Sequence, residues 1–141
     1  MSVLNLERFI VAQDHLYEQA LDEIKNGKKK THWMWFIFPQ MLGLGFSDTA
    51  IYYSITDVGE AELYLNHEVL GPRLVEISKE LLKLETDDPN EIFGDVDALK
   101  LNSCMTLFDY VSEDENVFSE VIEKFYDGEK DERTLQLIKK Q

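Results

Sequence analysis

Thr31-His32-Trp33-Met34-Trp35-Phe36-Ile37-Phe38-Pro39-Gln40 is the stretch on which the fold class of this 141-residue chain turns. From Trp33 to Phe38 every residue is apolar, so the run shows neither the stripe of a surface helix nor the alternation of a half-buried strand. It must be buried nearly all round, as a short helix or as an extended strand-like piece, and periodicity does not separate the two. Pro39 closes the run, and Gly43 and Gly45 make the following turn flexible.

On both sides the pattern is helical. Upstream, Leu6, Phe9, Ile10, Leu16, Tyr17, Ala20, Leu21 and Ile24 recur at helical spacing, with Asn5 as the expected cap and Asn26-Gly27 as a left-handed stop. Gln13 and Tyr17 lie on or beside that apolar face, so their polar atoms need partners. Downstream, Ser47 is placed to cap a short helix through Ala50, Ile51 and Ser54, and Asp57 with Glu60 forms a capping box ahead of Leu63 and Leu65. Gly71-Pro72 opens a helix with Leu74, Ile77, Leu81 and Leu84 on one face. Asp88-Pro89-Asn90-Glu91 caps a single turn ending at Gly94, and Asp95 heads a helix through Leu101, Cys104, Met105, Phe108 and Val111. Asn116 heads the next, carrying Val117, Phe118, Val121, Ile122 and Phe125 to a stop at Asp127-Gly128. Asp131 starts a last one with Leu135 and Ile138. No segment sustains period-two alternation. The expectation is an all-α, compact single-domain bundle of six or seven helices over residues 1–141, with an irregular aromatic segment near residues 31–46.

Composition narrows the classes. A chain of 141 residues fits one domain and buries roughly 70% of its unfolded surface, so no disulfide or metal staple is required. The one cysteine, Cys104, cannot form an internal disulfide, which suits a reducing compartment. Met1 to Leu6 is too polar and short for a secretory hydrophobic segment. The longest apolar run, Trp33 to Phe38, falls far below the ~20 residues of a membrane span. The chain therefore reads as cytoplasmic, with no membrane partner. Its formal charge of −14 repels duplex nucleic acid and anionic lipid. Lys25, Lys28, Lys29 and Lys30 form a local exception, either as a solvated helix end that complements the dipole or as an anion-binding patch.

No standard catalytic motif is present. The glycines form neither a P-loop nor a dinucleotide fingerprint, and no Gly-x-Ser-x-Gly elbow exists. His15, His32 and His67 lack metal-ligand spacing to each other or to Cys104, so neither a metal nor another cofactor is implied. Two constellations remain. In the first, Trp33 and Trp35 stand between Lys29, Lys30 and His32 on one side and Gln40 on the other. Such a set can stack a planar heterocycle, at roughly 1–3 kcal/mol per base, while the lysines meet phosphate. The same tryptophans can equally fill the core, each burying about 150–250 Å². In the second, Asp97, Lys100, Ser103 and Thr106 recur every three residues on one helix. That polar stripe is either a solvated edge or the lining of a pocket in which Asp97 is the best general base. Tyr53, His67 and Arg73 are weaker candidates; Arg73, in a helix's first turn, opposes the dipole and calls for an anionic partner.

The sequence resembles the bacterial DUF1810 family. The matching pieces are Arg8-Phe9, Gln13, Tyr17, Ala20, Gly27, the block His32 to Gln40, Gly43-Leu44-Gly45 and Ser47. They continue with Tyr64-Leu65-x-His67, Leu70-Gly71-x-Arg73-Leu74, Ile92-Phe93-Gly94-x-x-Asp97, Lys100-Leu101-x-Ser103-x-Met105-Thr106-Leu107-Phe108, and Phe125, Gly128, Asp131 and Thr134-Leu135. Lys30 and Cys104 stand where small hydroxyl residues are expected. The resemblance implies a compact helical domain of the YbiA-like superfamily, whose members act on ADP-ribose-like or riboflavin-precursor N-glycosides. It transfers no catalytic residue to this chain. Some members carry the label calpastatin, which does not suit a chain with a patterned core.

Two functional expectations follow. The first is a binder or N-glycoside hydrolase of a phosphorylated nucleoside-like ligand, stacked on Trp33 or Trp35. Lys29 or Lys30, with Arg73, would meet its phosphate, and His32, Gln40, Lys100, Ser103 and Thr106 would read its polar edges, with Asp97 positioning water. The second is a non-catalytic protein-interaction module, which requires an exposed apolar patch in place of a pocket. The first requires the aromatic block and the Asp97–Thr106 stripe to face a common hollow.

Overall fold

A computed structural model of the chain describes residues 6–140. The expected cap Asn5, and Met1–Asn5 as a whole, lie outside the described residues. Among the described residues the fold is all-α, with eight helices: α1 (Glu7–Lys25), α2 (Met34–Ile37), α3 (Asp48–Tyr52), α4 (Val58–Asn66), α5 (Leu70–Leu82), α6 (Pro89–Tyr110), α7 (Val117–Tyr126) and α8 (Glu132–Lys139).

The ambiguous run itself is α2, a helix beyond those that stripes and caps mark out. Met34–Ile37 makes one turn, with Trp33, Met34, Phe36, Ile37 and Phe38 all buried. A single isolated turn does not hold itself together, because its end carbonyls lack partners. Here Gln13 of α1 supplies one, its Nε2 donating to the Phe36 carbonyl at 2.8 Å and reaching the Tyr64 hydroxyl at 2.9 Å. The polar residue read on the apolar face of α1 is thus the brace of the aromatic turn. Beyond Phe38 the chain is pinned by a parallel bridge between Met41 and Ile55, with Leu42 N–H donating to the Ile55 carbonyl and Ile55 N–H to that of Gln40.

The turn expected before Gly94 and the helix expected after it are the two helical segments of α6, which part at Gly94. Gly94, at φ 80° and ψ 167°, supplies the bend in a region that favours glycine. The C-terminal arm of α6 is buried along most of its length and packs against α7 and α8. The caps at Ser47, Asp57, Asp88, Asn116 and Asp131 each accept a backbone N–H as their sequence positions require. The capping box at Asp57 is only half made. Glu60 turns away to accept from Thr56 N–H at 2.7 Å and to pair with Arg8 at 3.4 Å, in a nearly dry ion pair that joins α4 to α1.

A candidate ligand trough

The site begins with a buried acid. Glu23, in the last turns of α1, is 8% exposed. Its Oε1 accepts from the backbone N–H of Lys30 (2.6 Å) and Thr31 (3.0 Å) and from the indole N–H of Trp33 (2.9 Å); its Oε2 accepts from the Thr31 hydroxyl (2.7 Å). Burial alone would raise the carboxyl's pKa, but these hydrogen bonds outweigh it and lower it from 4.5 to about 2. Glu23 thereby fixes the loop that delivers the aromatic turn, and with it the direction of each tryptophan.

Trp33 is turned inward and fully buried. Trp35 is half-buried on the opposite side, as expected for residues two apart on a helical turn. Lys100 of α6 places its Nζ 5.3 Å from the Trp35 ring centroid. Around this pair lie three hollows in series. A cleft of about 390 Å³ is bordered by Gln40, Leu44, Lys100, Ser103, Asp131 and Arg133. A notch of about 10 Å³, room for one water, is bordered by Trp35, Phe38, Gln40, Tyr53 and Lys100. An open recess of about 550 Å³ is bordered by Trp35, Asp48, Thr49, Tyr52 and Tyr53. Gln40 and Lys100 are walls of both cleft and notch; Trp35 and Tyr53 are walls of both notch and recess. Trp35 from the aromatic block and Lys100 and Ser103 from the α6 stripe therefore line one row of adjoining hollows, a discontinuous trough with Lys100 and Arg133 at one end and Trp35, Tyr52 and Tyr53 at the other. Gly45 is part of the cleft wall, and a Cβ there would come within 2.6 Å of the Ala50 Cβ, so the close approach requires glycine.

A family model described as "Protein of unknown function (DUF1810)" matches residues 3–138. The chain belongs to the DUF1810 family. It is similar to the crystal structure of the conserved hypothetical protein Rv1873 from Mycobacterium tuberculosis, with 41% identity, a TM-score of 0.94, and coverage of 96% of this chain and 97% of that one. No curated protein matches the chain significantly.

The other candidate residues of this DUF1810 chain fall outside the trough. Trp33 is core, its indole N–H already held by Glu23, so no ring can stack on it. Lys29 packs half-buried against it, Nζ 5.1 Å from the indole centroid and 3.0 Å from Asp97 Oδ2. Asp97 also takes Lys100 on Oδ1 at 3.4 Å; with each oxygen on an ammonium, and lining none of the three hollows, it is not placed as a general base. Thr106 is fully buried behind the cleft wall, accepting from the Asp131 N–H at 2.9 Å and so anchoring the start of α8. His32 is exposed and borders none of the three hollows, and Lys30 enters through its backbone alone. Arg73 meets Asp14 at 3.2 Å and lies over the Tyr17 ring, on the α1–α5 side. His67 Nδ1 accepts from Val69 N–H and caps the start of α5.

The structure also brings in residues that the sequence reading passed over: Arg133, Asp48 and Tyr52. Arg133 carried a usable signal. It sits in the first turn of α8, where a cation opposes the dipole, the same reasoning applied to Arg73. Among the described residues no group of three His, Cys, Asp or Glu side chains could hold a metal, and no helix is long and apolar enough to cross a membrane.

Proposed function

We propose that the trough binds a small phosphorylated, nucleoside-like molecule, with phosphate at the Lys100–Arg133 end and the planar ring at the Trp35–Tyr52 end. The observation that carries this reading is that the cleft and the recess each share walls with the notch, which sets a cationic side chain and an aromatic one on the two sides of it. Charge supports a small ligand over a polymer. Among the residues that line the cleft, Lys100 and Arg133 face Asp131, a local positive excess on a chain of net charge −14. A polyanion reaching past the cleft meets repulsion; a mononucleotide does not.

Binding is a better reading than N-glycoside hydrolysis, the activity that membership of a YbiA-like superfamily would suggest. Hydrolysis through an oxocarbenium-like state needs a carboxylate beside the anomeric carbon. Asp97 is committed to two lysines, and Asp131 accepts from the N–H and hydroxyl of Thr134. The test is a thermal-shift series with AMP, ADP-ribose, NAD and riboflavin precursors, with product analysis of each mixture. A bound ligand at a hundredfold over its Kd stabilises by about 2.7 kcal/mol, a shift of several degrees. No shift with any of them at millimolar concentration would remove the reading, and release of a free base would restore the hydrolase.

A specific feature favours a second reading, a protein-interaction module. Val96 and Leu99, on the cleft rim, are 68% and 70% exposed. Recovery of a stoichiometric partner by the wild type, lost in Leu99→Lys, would favour it.

A further inference from the structure

We infer that Lys100 is a latch between the two ends of the trough and that Asp97 is its positioning residue, an inference whose ligand-driven half rests on the reading above. Asp97 holds two lysines unequally. Lys29 is the fixed one: its side chain is 9% exposed, its Nζ lies 3.0 Å from Oδ2 and over Trp33, and its backbone N–H donates to the Ile92 carbonyl at 2.8 Å. Through Lys29 the carboxylate is tied to the core. Lys100 hangs from the other oxygen at 3.4 Å, with its side chain 24% exposed and its ammonium over the face of Trp35. In that position it walls both the notch and the cleft, and the notch between the two larger hollows has room for about one water.

A resting ligand cannot thread such a notch, so Lys100 must move for ring and phosphate to be bridged. The ammonium sits on a flexible four-carbon stem, and its present partners are a long ion pair and a ring face, both weak where water reaches them. A phosphate entering the cleft beside Ser103 and Arg133 offers a closer, doubly charged partner. Lys100 then turns toward it, uncovers Trp35 and opens the notch. The anion thus prepares the aromatic end for the ring, and by linkage the ring tightens the anion.

The movement can be read on Trp35. The chain has two tryptophans, so Trp33→Phe leaves Trp35 as the sole emitter; should that variant not fold, the wild type serves, because fully buried Trp33 is inaccessible to quencher. Acrylamide quenching of Trp35 is expected to rise about twofold in Lys100→Ala and in Asp97→Asn, as a half-covered ring is opened, and to stay at the starting value in the conservative Asp97→Glu. Inorganic phosphate is expected to raise quenching to the same extent, and to have no effect once Lys100 is alanine. Equal quenching in all variants overturns the latch; a rise in Lys100→Ala without one in Asp97→Asn removes Asp97's role. If phosphate and AMP leave both melting and quenching unchanged while the two substitutions raise quenching, the resting latch stands and the ligand reading falls. If phosphate stabilises the fold without altering quenching, the ligand reading stands and the latch falls.

Discussion

Trp33 and Trp35 are separated by one residue, yet each lies with a lysine near its ring and Asp97 joins those two lysines. Behind the aromatic turn, Trp33 is dry, its N–H is bound to Glu23, and Lys29 is sealed against it. In front, Trp35 is half open and Lys100 lies loosely across it. The same pair of residue types thus serves as core on one side and as wall on the other. What separates them is the direction imposed by one helical turn and by the carboxylate that anchors its entry. Residue type alone carries no information about which tryptophan will meet a ligand.

The largest effect that could break this comparison is on stability. Trp33→Ala removes a fully buried indole and is expected to lower stability by about 3–5 kcal/mol, whereas Trp35→Ala should lower it by about 1 kcal/mol or less. Urea unfolding of the two variants checks this. Equal losses would mean that both rings are core, and the trough would lose its aromatic end.

Next in size is Glu23. Glu23→Gln leaves backbone and indole donors facing an amide that can accept through only one oxygen, at an expected loss of about 1–3 kcal/mol. The pH dependence has a definite sign. The folded carboxyl titrates at about 2, against 4.5 when free, so its stabilisation is complete above 4.5 and is lost as the pH falls from there toward 2. Melting temperature against pH should show that acid limb in the wild type, and a flatter one in Glu23→Gln. An unchanged slope would mean that the entry loop is held by something else.

How much of this was legible from residue types follows the same front-and-back division. The helices were, because stripes and caps are local: Ser47, Asp57, Asn116 and Asp131 each accept from the N–H three residues on. The conformation of Trp33–Phe38 was not, since the Gln13 side chain that satisfies the Phe36 carbonyl comes from another helix. Gln40, Lys100 and Ser103, each a polar residue edging an apolar run, border one cleft, as the ligand reading requires. Thr106 and Trp33 differ, because the polar atom of each has a tertiary partner invisible from spacing. Glu23 went unmarked although it borders Ile24 and Ala20 on the buried side of α1; an acid beside such a stripe is the trace a buried carboxylate leaves.

The smallest and sharpest test compares the two lysines that share Asp97. Lys29→Met takes one cation from a nearly dry pair and leaves Oδ2 without its closest donor, so a loss of about 1–2 kcal/mol is expected. Methionine keeps most of the apolar stem against Trp33, which confines the effect to charge. Lys100→Met removes the longer, wetter pair and should cost about 0.2–1 kcal/mol. Ligand response is expected to run in the opposite order: the Lys100 variant binds AMP at least tenfold more weakly, a loss of about 1.4 kcal/mol, while the Lys29 variant binds within about threefold of wild type. Calorimetric titration beside denaturant melts measures both quantities on the same samples. If stability and binding fall together for each lysine, front and back are one structural unit and Trp35 is merely the less buried half of the core. If they cross, the carboxylate at position 97 divides two jobs between two identical side chains.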